Sequence, residues 1–181
     1  MRPTRLAGYS VKVAFVLCIL AGFPSAPAEA VRIQDDPNGF NGYTWGASRA
    51  SYPSLRHVKD LGSTESGERI SVYEKPGEVV TLNGALLAGI RYRFVDDRLE
   101  SIVLSYEGRE NRDNVLRWVE EHYGKLTLPE RRMLRQVEWH GDKTEVTLTF
   151  NHITKEGMLL FISLAFRERL FDSNMGGGGM P

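Results

Sequence analysis

Apolar and polar residues alternate strictly along much of the middle of the chain. In "GIRYRF", Ile90, Tyr92 and Phe94 fall on one side of an extended strand while Arg91 and Arg93 fall on the other. After the turn pair Asp96-Asp97, "LESIVLSY" repeats the pattern with Ile102, Leu104 and Tyr106, which predicts a hairpin. A second hairpin follows, with Val137 and Trp139 of "QVEWH" and Val146, Leu148 and Phe150 of "KTEVTLTF" on the apolar side of a turn at Gly141-Asp142. "EGMLLFISLAF" breaks the alternation at Leu159 and Phe161 and is apolar on both faces, as a central or covered strand would be. One stretch has a helical period: in "NRDNVLRWVEEHYG", Val115, Trp118, Val119 and His122 or Tyr123 recur at helical spacing, Asn111 is placed to cap the start and Gly124 to stop the end. A second helix near Ser48 to Val58 is a weaker expectation, because Pro53 fits only a first turn.

The order of these elements sets the expected fold. The strands "RISVYEK", "GIRYRF" and "LESIVLSY" precede the long helix, and "QVEWH", "KTEVTLTF" and "GMLLFISLAF" follow it. This predicts an α+β domain, an antiparallel sheet of about six strands with one long central helix packed on its apolar face. With the helix near Ser48 added, the order suggests two tandem α-βββ units.

The ends of the chain read differently. Arg2, Arg5 and Lys12 lead into an apolar run from Val13 to Phe23, and "PSAPAEA" ends in the small-x-small triplet Ala28-Glu29-Ala30. Residues 1–30 are therefore expected to be a signal peptide cleaved near Ala30, which places the protein in the periplasm or outside the cell. The run is well short of the roughly 20 residues of a spanning helix, so no stable membrane span is expected after cleavage. Removing the leader takes three basic residues and one acid from totals of 23 and 23, leaving a net charge near −2 with no basic excess to attract nucleic acid. It also removes the lone cysteine, Cys18, which excludes disulfides, thiol catalysis and Cys-zinc sites from the mature chain. Residues 31–39 are expected to be a flexible lead-in, 40–171 a single domain, and 172–181, with four successive glycines, a disordered tail. Phe40, Tyr43, Trp45 and Gly46 of "GFNGYTWGAS" are expected to be a structural anchor that packs rigid rings onto the core around turn-permitting glycines.

The succession "GFNGYTWG", "VYEKPGE", "IRYRFVDDRLESIVLSYEG", "NVLRWVEEHYG" and "VEWHGDKTEVTLTF" resembles a group of small exported bacterial proteins of unknown function. The resemblance covers about residues 38–167 and rests on packing and turn signatures in a fixed order. More remotely, the repeated helix and strands look like envelope domains related to beta-lactamase inhibitor proteins and outer-membrane assembly lipoproteins. That likeness implies an interaction module and transfers no site residues. Two departures from it are the absence of a lipid-anchored cysteine and Pro53 in the first helix.

No motif supplies a catalyst. His57, His122, His140 and His152 are widely separated, and there is no His-Glu-x-x-His, no Gly-x-Ser-x-Gly and no phosphate loop. Asp96-Asp97 reads as a turn former, and Arg131, Arg132 and Arg135 of "ERRMLR" make the densest basic patch. His140 and Glu138 share the polar side of one strand, and Glu145 joins them if the hairpin pairs as drawn. The polar sheet face carrying Arg91, Arg93, Glu138, His140 and Glu145, with Val103 and Phe161 as its apolar points, is the candidate binding face. The expected function is an exported, non-catalytic domain that binds an envelope protein or glycan without a cofactor or metal. The competing expectation is a small periplasmic hydrolase or ligand-binding enzyme using His140 with Glu138 or Glu145, which requires the three to converge in a closed cleft.

Overall fold

The computed structural model describes residues 31–64, 66–127 and 136–168. Two antiparallel meanders build its main sheet. The first runs through β4 (Arg56–Ser63), β5 (Arg69–Glu74), β6 (Leu87–Val95) and β7 (Arg98–Glu107); the second through β8 (Gln136–His140), β9 (Thr144–Phe150) and β10 (Glu156–Ser163). Between them lies the helix α1 (Arg109–Tyr123). The meanders join where β10 pairs with β7, and the short β1 (Val31–Arg32) adds to the far edge as a parallel partner of β8. The strand order is β1-β8-β9-β10-β7-β6-β5-β4, and β2 (Gly39–Phe40) and β3 (Tyr43–Thr44) form a separate hairpin.

This overturns the expected fold class. Strand accounts for 48% of the described residues, and among them one helix reaches seven residues, so the described part is mostly β with a mixed sheet of eight strands. It is not a six-stranded antiparallel sheet under a long central helix. A helix is ~10 Å wide, whereas eight strands span roughly 34 Å, so α1 covers only part of the apolar face. The rest of the cover comes from the opening stretch. Phe40 lies 4.4 Å from Phe161 ring to ring, and Tyr43 lies 4.3 Å from Tyr92. Helix residues Val115, Leu116, Val119 and Tyr123 complete the layer, and Trp118 meets Phe40 edge-on at 6.0 Å.

The tandem-unit reading fails because, among the described residues, no α-helix precedes the first meander. Around Pro53 there is only a 3-10 turn, Arg49–Ser51, which Ser48 caps, before the chain enters β4. Nor is Asn111 the cap of α1: the helix starts at Arg109 after Gly108, and Asn111 instead donates to Glu107 O and accepts from Leu86 N.

Residues 31–39, expected to be flexible, are held at three points. Val31 and Arg32 pair with Trp139 and His140, Ile33 is buried, and Asp36 ties down the β8–β9 turn. The Asp36 carboxylate accepts hydrogen bonds from Asn38 N (3.0 Å), Lys143 N (2.5 Å), Thr144 N (2.8 Å) and Thr144 Oγ1 (2.6 Å). Trp45 Nε1 donates to the same Thr144 Oγ1 at 2.8 Å, so lead-in, opening hairpin and β9 meet at one hydroxyl.

Asn41 and Gly42, with φ of 50° and 82°, form the two-residue turn of the β2–β3 hairpin. Gly39 is under a tighter constraint: its φ is +150°, and a Cβ there would lie 1.9 Å from Tyr43 O. Gly39→Ala will destabilise the protein by more than about 1 kcal/mol, read as a lower urea midpoint at unchanged slope. An unchanged midpoint would mean that the hairpin is not required to hold this approach.

Candidate functional site

Directly paired residues of neighbouring antiparallel strands share a face, so the register sorts the outer side of the sheet into rows. One row runs Arg93, Ser101, Ile162, Glu145, His140 across β6, β7, β10, β9 and β8. The next runs Arg91, Val103, Leu160, Thr147, Glu138, and a third carries Ser105, Met158, Thr149 and Gln136. All five candidate binding residues therefore lie on one face. They do not form one patch, because four strand spacings, roughly 19 Å, separate the arginines from the histidine.

The first row is covered by the chain's own helical turn, residues 164–168. Phe166 packs with Val95 and Ile162, and the Arg93 guanidinium sits 5.6 Å from its ring centre. The next residue, Arg167, reaches the other way and pairs with Glu145 Oε2. Arg93 is thus half-buried with its Nε shut from solvent, and burial lowers its pKa against the opposing charge of Glu100. Arg91 is exposed and pairs with Glu74 at 2.9 Å. Phe161 is not an apolar point of this face: it is fully buried in the core, and half-buried Leu160 and Met158 take that place beside Val103.

At the β8–β9 end, His140 Nε2 lies 3.3 Å from Glu138 Oε2, and His140 Nδ1 lies 3.3 Å from Glu145 Oε2. The Glu145 side chain is 7% exposed, whereas those of His140 and Glu138 are each 35% exposed. Gln136 Nε2 donates to the other Glu138 oxygen at 2.7 Å. The histidine and its two carboxylates do converge, which is half of what an acid-base site requires. His140 and Glu138 stay open to solvent, and two cavities among the described residues lie elsewhere. One, of about 550 Å³, is walled by the β5–β6 connection around Glu78, Leu86 and Arg91. The other, of about 580 Å³, is walled by Trp45, Glu100, Lys143 and Leu164.

The remaining histidines stand apart. His57 pairs with Asp60, His122 stacks on Trp118 at 4.2 Å, and His152 meets Phe150 edge-on. Asp96 and Asp97 have φ of 45° and 60° and form the β6–β7 turn. Of the structural anchor residues, Phe40 and Tyr43 lie in the core, Trp45 is half-buried against it, and Gly46 N donates to Leu99 O at 2.8 Å. The basic cluster at Arg131, Arg132 and Arg135, the leader and the glycine-rich tail lie outside the described residues.

Arg167 and the outward Leu160 were missed in the sequence. Leu160 could have been found by placing Leu159 and Phe161 on the core face, which forces Leu160 outward. Nothing in the sequence signals that Arg167 turns back to Glu145. No family model, curated protein or solved structure matches the chain.

Among the described residues no helix is long and apolar enough to cross a membrane.

Proposed function

We propose that the protein is an exported, non-catalytic interaction domain that binds a protein or another envelope component through the outer face of its sheet. The leader at residues 1–30 and the resemblance to small exported proteins support export. One observation carries the surface: Val103, Leu160 and Met158 are half-buried apolar side chains side by side on β7 and β10, framed by Arg91 with Glu74 and by Glu138 with Gln136. An apolar centre with a charged rim is the usual anatomy of a contact surface. The solvent exposure of His140 and Glu138 supports a binding role over hydrolysis, which works best where water is excluded.

Leu160→Lys places a charge at the centre of that surface while leaving the core face of β10 intact. With near-UV circular dichroism unchanged, this variant will lose the partner that the native chain captures from an envelope extract, and Glu138→Lys at the rim will weaken capture less. Capture equal to the native chain by both variants would remove the outer face from the proposal.

A further inference from the structure

We propose that Glu138, His140 and Glu145 form a seat for one divalent transition-metal ion, independently of any macromolecular partner. One ligand atom from each residue lies within 4.8 Å of the others. An imidazole nitrogen beside two carboxylate oxygens suits Zn²⁺, Ni²⁺, Co²⁺ and Cu²⁺; Mg²⁺ and Ca²⁺ favour all-oxygen shells. Metal–ligand bonds of about 2.1 Å put neighbouring ligands roughly 3.4 Å apart in a tetrahedral shell; Glu145 faces Nδ1 of His140 and Glu138 faces Nε2, so Glu138 must swing round to share the ion held at Nδ1. The site is built to allow this. Glu145 is fixed and buried in the sheet, while Glu138 and His140 are each 35% exposed and free to rotate toward it. Water completes the shell from the open side.

Glu145 supplies the second argument. Its Oε2 is buried, and the groups that meet it are the Arg167 guanidinium and His140 Nδ1. A buried carboxylate oxygen met in this way is a position that takes positive charge. With a neutral imidazole, the two carboxylates and Arg167 sum to one negative charge. A dication that displaces Arg167 balances both carboxylates, and its binding has to offset what Arg167 loses on leaving Glu145, whose side chain is only 7% exposed. Gln136 donates to the far oxygen of Glu138 and leaves Oε2 as its ligand atom, and the exposed Gln136 side chain can follow as Glu138 turns.

The full chain carrying Cys18→Ser, which keeps the lone thiol out of the titration, is stripped with EDTA and titrated with Co²⁺ by visible absorption and with Zn²⁺ by calorimetry. The expected result is one saturable ion per chain. His140→Ala will weaken binding at least about tenfold, His122→Ala will leave it unchanged, and Glu138→Gln, at an exposed position, will weaken it without unfolding the chain. Arg167→Ala will tighten binding by removing the competing cation. No saturable binding, or undiminished binding by His140→Ala, overturns the seat. Weaker binding by a folded Arg167→Ala protein overturns the exchange of Arg167 for the ion.

Discussion

Asp36→Asn will lower the unfolding free energy by about 3 kcal/mol at neutral pH, because hydrogen bonds to a charged carboxylate are worth roughly 1.5–3 kcal/mol each and the amide keeps one acceptor oxygen out of two. Oδ1 serves Asn38 N and Thr144 Oγ1, and Oδ2 serves Lys143 N and Thr144 N, so an amide nitrogen would oppose two backbone donors in the second place and one in the first, where the Thr144 hydroxyl can turn to accept. The space is equally exclusive, since a Cβ at Gly141 would lie 2.2 Å from Asp36 Oδ2. Partial burial alone would raise the Asp36 pKa. The donors from Thr144, Asn38 and Lys143 outweigh it and hold the carboxyl below its ordinary value of 3.8. A depressed folded-state pKa contributes stability that is fully present above the unfolded value and is lost as pH falls through the folded one. The gap between native protein and Asp36→Asn in urea titrations will therefore be constant at neutral pH and shrink below about pH 4. A gap that persisted undiminished at lower pH would show that the charge is not what holds the turn.

Trp139→Ala will have the largest effect, about 3–5 kcal/mol and roughly a 10 °C fall in melting temperature. Trp139 is fully buried, and three parts of the fold converge on it. Its indole Nε1 donates to Gly124 O at 2.8 Å, just past the end of α1. It pairs with Val31 of β1 on one side and Val146 of β9 on the other. Truncation opens a cavity and also leaves the Gly124 carbonyl without its donor. Trp139→Phe fills most of the volume and loses only the hydrogen bond, so it will cost clearly less. Equal losses from the two variants in thermal melts would assign the whole effect to the donor.

Much of the sheet was legible because its strands obey a two-residue period: the inward sets at Tyr92, Ile102, Trp139 and Val146 are the core. What could not be read was how that face is covered. Helical spacing at Val115 and Val119 locates a helix but says nothing of how much sheet lies beneath it. The Asn41-Gly42 pair between aromatic neighbours is a strong hairpin signal, and it marks the opening stretch as the second cover. β4 stayed hidden because its register shifts twice against β5, between His57 and Lys59 and between Asp60 and Gly62, which erases the alternation. β1 is two residues long and takes its identity from β8, a partner that no local pattern at Val31 can name. At the candidate site the strand parity put Glu138, His140 and Glu145 together. The Arg167 that closes on Glu145 comes from a turn whose direction is set by Phe166 finding Val95 and Ile162.

The parallel pairing of β1 with β8 also dictates an order of events. Val31 and Arg32, made early in synthesis, have their partners at Trp139 and His140, so they must wait until the second meander exists. Closing so long a stretch of chain is costly in entropy and gains in return a two-residue strand, the burial of Ile33 and the Asp36 bonds. The lead-in is thus the last piece to lock and the first to release. The loss at Asp36→Asn will fall on the unfolding rate and leave the folding rate nearly unchanged.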